Sequence, residues 1–208
     1  MTTRGKFIVI DGLDGSGKTT VNRKVSQWLE QLLCINIVNV REPGGTIVGE
    51  KIRGIFKDGS IEREPTTELY LLMGARHELC ATVIEKALAA GHWVIADRYW
   101  YSTYAYQGFG GGLKLASTIP FISKGLPKPD LSIWLDVSIE ECIKRREADE
   151  TRVGVVVDAI EGRGDDYFTK ARSGYESLVM KGIMKRVDAN QDPKGVMEDV
   201  SFLINELI

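Results

Sequence analysis

The chain has 208 residues, with 27 lysines and arginines against 29 aspartates and glutamates, which gives a formal net charge of −2. Because this balance offers no broad basic surface, we expect no nucleic-acid polymer as a partner. No uncharged run approaches the roughly 18 residues that a membrane-spanning helix requires, so we expect no membrane partner either.

The cysteines and the amino terminus predict a cytoplasmic protein. Cys34, Cys80 and Cys142 lie far apart and without nearby histidines, which is typical of reduced core thiols rather than of disulfides or a zinc site. Residues 1–6 lead into the first predicted strand without the apolar region of a signal peptide.

A phosphate-binding loop follows that first strand. The apolar run at residues 7–10 precedes Gly-Leu-Asp-Gly-Ser-Gly-Lys-Thr at residues 12–19, which fits the pattern G-x-x-x-x-G-K-[ST]. Its glycines allow the backbone N–H groups to turn toward a polyanion, and the helix predicted from Thr19 adds its amino-terminal dipole. Lys18 is expected to reach the β and γ phosphates of a nucleoside triphosphate, and the Thr19 hydroxyl to ligate Mg2+.

Strands and helices alternate along the rest of the chain. Further strands are predicted at residues 35–40, 93–96, 131–135 and 184–187. Together with the first strand they predict an α/β fold, with a parallel five-stranded sheet flanked by helices on both faces. A long helix is predicted from about Thr66 to Ala90, and Ser138 begins a capped helix that reaches Arg146. Ligands in such sheets bind beyond the carboxyl ends of the strands, where the predicted loops are 11–19, 41–46, 97–108 and 136–138.

The segment at about residues 147–164 has no clear amphipathic period and carries Arg152 and Arg163. Its length and composition favour two interpretations equally. It is either a mobile flap or an ordinary connecting loop with a short apolar strand at residues 155–157.

Further motifs follow the phosphate-binding loop in order: Arg41-Glu42-Pro43-Gly44-Gly45-Thr46, Arg76 in the long helix, Asp97-Arg98-Tyr99, and Ser102-Thr103-Tyr104-Ala105-Tyr106-Gln107-Gly108. With the loop, this ordered set closely resembles the thymidylate kinase family, which phosphorylates dTMP to dTDP with ATP. The resemblance spans nearly the whole chain. It implies one P-loop nucleotide kinase domain over residues 1–208 with a LID-like segment at about 147–164, ATP and dTMP as partners, Mg2+ as cofactor, and a homodimer. The residues implied for ATP binding are Gly12, Leu13, Asp14, Gly15, Ser16, Gly17, Lys18, Thr19 and Thr20.

For the acceptor phosphate, the resemblance implies that Arg98 and Arg53 hold the monophosphate while Glu42 and Pro43 line its site. An arginine offers a planar fork that grips phosphate with two hydrogen bonds, which suits this role. Asp97 corresponds to the family's acid near Mg2+. Without the resemblance, Asp97 and Arg98 are also interpretable as a structural salt bridge.

For the base, the resemblance implies that Arg76 addresses the thymine ring, that Thr103 and Gln107 are its polar neighbours, and that Tyr106 excludes a ribose 2′-hydroxyl. Without it, Arg76 would be interpreted as a solvated or paired helix charge. Leu72 stands where the family usually has a phenylalanine. We therefore expect weaker or less selective base binding, because aromatic stacking is lost.

The catalytic residues implied by the resemblance are Lys18, Asp14, Arg98 and Arg163. Gly15 follows Asp14, where one family subtype has an arginine, so the flap is expected to supply the catalytic arginine as in the bacterial subtype. That subtype's pattern has an arginine where this chain has Ala159. Arg163 lies one turn away if a helix has begun there, and Arg152 and Arg146 are further candidates.

Two alternative functions stay open at this point. Leu72, in place of the family's phenylalanine, is compatible with a kinase for another nucleoside monophosphate or for deoxynucleosides. Ala159, in place of the subtype's arginine, is compatible with a non-catalytic nucleotide-binding relative.

Overall fold

The computed structural model of the chain describes residues 4–114, 119–148 and 160–208. Its strands are β1 (Phe7–Gly12), β2 (Ile37–Arg41), β3 (Trp93–Asp97), β4 (Leu131–Asp136) and β5 (Lys185–Asp188). Among the described residues these five strands form one sheet in the order β2-β3-β1-β4-β5, with every neighbouring pair parallel. The predicted α/β fold with a parallel five-stranded sheet flanked by helices is thereby confirmed.

Helices connect the strands throughout the described residues. They are α1 (Lys18–Leu33), α2 (Ile47–Lys57), α3 (Pro65–Leu79), α4 (Glu85–Ala89), α5 (Trp100–Thr103), α6 (Ile119–Ser123), α7 (Ile139–Glu147), α8 (Gly164–Met180) and α9 (Pro193–Asn205). Two π-helical segments, Cys80–Ile84 and Tyr104–Gly110, extend α3 and α5, and a 3-10 turn at Glu161–Arg163 precedes α8. No helix among these is both long and apolar enough to cross a membrane.

Strand β1 lies at the centre of the sheet and places the phosphate-binding loop. Its side chains are buried, as expected for a strand covered on both faces. In the parallel register Ile10 is opposite Asp97, so the chain leaves β1 and β3 at the same edge. The loop after Gly12 and the segment after Asp97 therefore begin side by side.

Two helical details differ from the sequence prediction. The helix predicted over about residues 66–90 contains the π-helical segment Cys80–Ile84 between α3 and α4. The prediction of a loop over residues 97–108 is wrong beyond residue 99, because α5 and the following π-helix occupy residues 100–110. Buried aromatic side chains, Tyr104 and Tyr106 among them, take this backbone out of water. Its polar groups must then pair internally, which a helix achieves.

The thiols follow the prediction only in part. Cys80 and Cys142 are buried, whereas Cys34 is exposed. Cys34 ends α1 in the left-handed conformation, with φ of 51°, so it stands at a surface turn instead of in the core. The expectation of a core thiol is wrong for this residue.

The LID-like segment falls largely outside the described residues. Arg152, Ala159 and the strand considered at residues 155–157 all belong to residues 149–159, which the structure does not describe. The described part resumes at Ile160 and continues through the 3-10 turn into α8.

Helix α8 packs closely on the π-helix Tyr104–Gly110, because a glycine allows the two backbones to meet. A Cβ atom placed on Gly174 would lie 2.8 Å from the Cα atom of Ala105 and 3.2 Å from the ring of Phe109. The close approach of these two helices therefore requires that residue 174 has no side chain.

We predict that Gly174→Ala destabilises the protein by about 1–3 kcal/mol, because the inserted methyl group forces two backbones apart. Gly54→Ala in α2 is the matched control, since a Cβ atom there meets no atom within 4 Å. That exchange should leave the free energy of unfolding unchanged or raise it by about 0.4–1 kcal/mol through the unfolded state. Urea denaturation measures both, and equal stability changes would contradict the packing argument.

Candidate active site

The phosphate-binding loop curls around the end of the Lys18 side chain. Gly15 and Gly17 adopt left-handed φ angles of 89° and 86°, which only glycine takes without strain. The buried Lys18 donates from Nζ to the carbonyl oxygen of Leu13 at 2.7 Å, within the loop itself. Burial, together with the nearby Arg98, lowers the pKa of Lys18. The loop thus holds an ammonium group at the start of α1, where a helix amino terminus also attracts anions.

Helix α7 closes the loop from one side. A Cβ atom on Gly15 would lie 2.5 Å from the carbonyl oxygen of Cys142 and 3.1 Å from its Cα atom. Both contacts are with backbone, which cannot move aside as a flexible side chain can. Position 15 therefore accepts no side chain in this arrangement, and α7 lies directly against the loop.

Thr19 and Asp97 form an oxygen pair beside Lys18. The Thr19 hydroxyl, at the start of α1, donates at 3.1 Å to Oδ2 of Asp97, at the end of β3. Mg2+ prefers hard oxygen ligands and usually takes only one or two from the protein, the rest coming from water and phosphate. A hydroxyl and a carboxylate at this spacing fit that donor set, and they are the two residues predicted to hold the metal.

Arg98 connects the two strand ends. It has a φ of 75°, unusual for a residue with a side chain, and its guanidinium turns back toward the phosphate-binding loop. Nη2 donates to Oδ1 of Asp14 at 2.6 Å, and Nη1 donates to Oγ of Ser102 at 2.8 Å and to the carbonyl oxygen of Gly12 at 3.2 Å. The guanidinium also lies over the ring of Tyr106, 5.1 Å from its centroid.

Asp14 is held ionised by its surroundings. Burial acts to raise the pKa of this carboxyl, but the opposing effects of Arg98 and Lys18 are larger in sum, so its pKa lies well below the usual range. Tyr106 donates from its hydroxyl to Oδ2 of Asp14 at 3.3 Å. The structure therefore brings Lys18, Asp14 and Arg98 together around one point.

A buried carboxylate that the sequence analysis did not single out supports this group. Asp11 is fully buried at the end of β1, and its Oδ1 accepts from Gly12 N at 2.8 Å, Ser102 Oγ at 2.7 Å and Tyr175 Oη at 2.8 Å. Its Oδ2 accepts from the backbone N–H groups of Tyr99 and Ser102. The available signal was a charged residue at the end of an otherwise apolar strand, since buried charges need several partners.

A smaller cleft of about 150 Å³ opens on the other side of Arg98. The predicted acceptor residues line it: Glu42, Pro43, Arg53, Leu72, Arg76, Arg98, Thr103, Tyr106 and Gln107. Arg53 donates from Nη1 to the carbonyl oxygen of Pro43 at 3.0 Å, which turns its guanidinium toward the mouth that this cleft shares with the phosphate-binding loop.

Arg76 is not the solvated charge that the residues alone would suggest. It is 2% exposed, and its Nε donates to Oε2 of Glu42 at 2.6 Å while Nη2 donates to Oγ1 of Thr103 at 3.0 Å. Its Nη1 and the Oε1 of Glu42 are buried without a hydrogen-bond partner in the described structure. Such unsatisfied groups are costly, so a polar ligand that pairs with them would bind favourably here.

Burial dominates the titration of Glu42. It raises the pKa of this carboxyl to about 7, even though Arg76 beside it favours the charged form. Desolvation and the attraction to Arg76 thus oppose each other at Glu42, and the charge of this carboxyl changes near neutral pH.

The described hydrogen bonds of Arg163 go to Glu68 and Tyr167 rather than to Asp14 or another catalytic candidate. Its Nη2 donates to Oε1 of the buried Glu68, and its Nη1 donates to the hydroxyl of Tyr167 at 3.2 Å. Glu68 also accepts from Gln107 Nε2 at 3.4 Å, so Arg163 is linked through Glu68 to a residue that lines the smaller cleft. Sequence reasoning did not identify Glu68 as its partner, because the two residues are 95 positions apart.

The larger cleft, of about 980 Å³, extends from the phosphate-binding loop along α1 and α7. Lys18, Thr19 and Asp97 line it together with Arg145 and Arg146 of α7. Arg145 is engaged by Glu141 at 2.8 Å and by the carbonyl oxygen of Ala189 at 2.9 Å. The Arg146 guanidinium lies over the ring of Phe168, 5.3 Å from its centroid.

Comparison with known proteins places these features in a family context. A family model described as thymidylate kinase matches residues 10–200. The chain is 35% identical to a thymidylate kinase of Synechococcus sp. (strain RCC307) over 211 residues, which covers 98% of this chain and 97% of the relative. It is 36% identical to a thymidylate kinase of Prochlorococcus marinus (strain NATL2A) over 213 residues, which covers 99% and 98%.

We predict a pH-dependent contribution of Glu42 to stability. Its pKa is about 7 in the folded protein against an ordinary value of 4.5, so the folded state binds more protons than the unfolded chain between these values. The free energy of unfolding contributed by this group therefore falls as the pH rises from about 4.5 to about 7.

Glu42→Gln removes the titrating group while keeping the side-chain shape. Urea denaturation of both proteins across that pH range should show the wild type losing stability relative to the variant. A difference that does not change with pH, or that grows in the wild type's favour, would contradict the raised pKa.

Proposed function

The chain belongs to the thymidylate kinase family, and from this membership we propose that it transfers the γ-phosphoryl group of ATP to dTMP, giving dTDP and ADP. One observation carries the proposal. The phosphate-binding loop and Arg98 leave adjacent strand ends, and Asp14 joins the two clefts through its bond to Arg98 at 2.6 Å. A donor triphosphate in the larger cleft and an acceptor phosphate in the smaller one would meet at this pair.

The donor side depends on Lys18 and the loop N–H groups. We propose that Gly12 to Thr20 cradle the triphosphate and that Lys18 contacts its β and γ phosphates. Thr19 and Asp97 would hold Mg2+, which neutralises charge on the β and γ oxygens when bound. Asp14, with its low pKa, stays anionic and fixes the guanidinium of Arg98 at the junction.

The acceptor side needs no general base. The second pKa of a phosphate monoester is about 6, so the dTMP phosphate is already mostly dianionic and nucleophilic at neutral pH. Catalysis is then a matter of positioning and of offsetting the repulsion between two polyanions. We propose that Arg98 and Arg53 grip the acceptor phosphate, while Glu42 and Pro43 line its site.

The base and sugar would lie deeper in the smaller cleft. We propose that the unpaired Nη1 of Arg76 donates to an oxygen of the pyrimidine ring, with Thr103 and Gln107 as polar neighbours. The hydroxyl of Tyr106 is hydrogen-bonded to Asp14 and Arg98, which supports our proposal that its ring excludes a 2′-hydroxyl. Leu72 covers the cleft without an aromatic face.

We extend the proposal to the whole chain as one kinase domain, residues 1–208, with a LID at about 147–164, acting as a homodimer in the cytoplasm. Two buried free thiols, Cys80 and Cys142, are consistent with a reducing compartment. Light scattering of the purified protein tests the dimer directly.

A coupled assay for ADP release over dTMP, dUMP, dGMP and dCMP tests the substrate. We expect dTMP to have the highest kcat/KM, because the cleft volume and the Arg76 donor suit a single pyrimidine ring. Leu72→Phe should lower the KM for dTMP by restoring stacking, which is worth about 0.5–1.5 kcal/mol. Equal or faster turnover of a purine monophosphate would refute the thymidylate assignment.

We predict that Lys18→Ala abolishes turnover while leaving the fold intact, since Lys18 is the first residue of α1, its ammonium bonds to the loop carbonyl oxygen of Leu13, and we propose that it contacts the transferred group. Lys24→Ala is the control, because it removes the same charge from an exposed position of α1. Circular dichroism and the ADP-release assay measure both variants. Full activity in Lys18→Ala would exclude the proposed role of the loop.

A further inference from the structure

The proposed reaction brings two polyanions together, and a cation beyond Lys18 and Arg98 would further offset their repulsion at the migrating group. The loop cannot provide it from position 15, where a side chain would meet the backbone of Cys142 at 2.5 Å. Position 159 is alanine, and Arg163 donates to Glu68 and Tyr167 beside the smaller cleft. Of the two further candidates, Arg152 lies outside the described residues, whereas Arg146 lines the larger cleft. Building on the proposed phosphoryl transfer, we propose that Arg146 of α7 is the catalytic arginine that contacts the migrating phosphoryl group.

The contact between α7 and the loop places Arg146. Because Cys142 touches Gly15, and residues four apart share one face of a helix, Arg146 projects from the face that meets the loop. It lines the larger cleft together with Asp14, Gly15 and Lys18. It also acts on Asp14 electrostatically, after burial, Arg98 and Lys18, in lowering the pKa of that carboxyl.

Aromatic rings beside the larger cleft contact the guanidinium of Arg146. Arg146 lies over Phe168 at 5.3 Å, and Phe168 packs edge-on against Tyr106 at 6.3 Å between centroids. Tyr106 in turn donates to Asp14. A planar cation over an aromatic face keeps its N–H edges available, so the fork of Arg146 can still bind phosphate oxygens.

Arg163 is placed for a different task. It joins the start of α8 to the buried Glu68 of α3, and it lines neither of the two clefts described above. Its partner carboxylate is 1% exposed and also lies 3.6 Å from Nε of Arg63, so moving Arg163 to the phosphates would give up one of two ion pairs at a buried group. The guanidinium of Arg146, by contrast, already lies in the larger cleft, over the ring of Phe168.

The test compares Arg146→Ala, Arg146→Lys, Arg152→Ala and Arg163→Gln with Lys144→Ala. Lys144 removes one charge from the same turn of α7 but is 80% exposed, outside the larger cleft. Steady-state kinetics with ATP and dTMP give kcat and both KM values. Affinity for ADP with aluminium fluoride, which imitates the transferred group, is measured beside affinity for ADP alone, and thermal unfolding monitors the fold.

We expect Arg146→Ala to lower kcat about 100-fold or more with both KM values little changed, as for other lost transition-state donors. Its affinity for ADP with aluminium fluoride should fall by a similar factor while that for ADP stays constant. Arg146→Lys should be intermediate, Arg163→Gln should act mainly on the KM for dTMP, and Lys144→Ala should match the wild type.

Arg152→Ala should keep most of the wild-type kcat. Wild-type kcat in Arg146→Ala, or a loss confined to thermal stability, would overturn the proposal, as would a large kcat loss in Arg163→Gln or Arg152→Ala alone. If the wild type does not phosphorylate dTMP, the proposed function fails on its own. The aluminium fluoride measurement then decides about Arg146, because unchanged affinity in Arg146→Ala overturns its role and a selective loss supports it.

Discussion

The carboxylate of Asp11 fixes the geometry on which the site depends. It accepts five hydrogen bonds in a position fully removed from water, and its donors come from the phosphate-binding loop, the segment after β3 and helix α8. Removing water from an ion is expensive unless its lone pairs are filled, so these elements are held in one relative position. Arg98, only 3.6 Å from the same carboxylate, takes its unusual backbone conformation within that frame.

Arg98 separates two clefts with different chemical character. One side concentrates cations and N–H groups around the loop, which suits a triphosphate. The other side is a smaller, more apolar cleft with a buried Glu42–Arg76 pair and two unsatisfied polar atoms. Asp14 lies between them and remains anionic because its cationic neighbours outweigh its burial. The site therefore combines strong charge with strict placement, as phosphoryl transfer requires.

Local patterns predicted much of this molecule. The strand positions, the capped start of α7 at Ser138 and the loop glycines depend on residues close in sequence, and the structure contains each of them. The candidate acceptor residues needed the family resemblance, since a lone Arg76 on a helix carries no sign that it will be 2% exposed.

What the sequence could not predict depends on contacts across the fold. The π-helical segments Cys80–Ile84 and Tyr104–Gly110 contain extra residues per turn, and no residue spacing in the sequence indicates them. The pairing of Glu68 with Arg163 and the five donors to Asp11 join distant segments. A charged residue within an apolar stretch of sequence indicates that it needs a partner. Which residue is that partner depends on the tertiary structure.

The contact between Gly15 and Cys142 also limits how this backbone can change. An arginine introduced at position 15 would displace α7, and with it the larger cleft wall that carries Arg145 and Arg146. A side chain at position 15 and the present packing of α7 are therefore incompatible. A substitution there would require the helix and the loop to change together, because neither change fits alone.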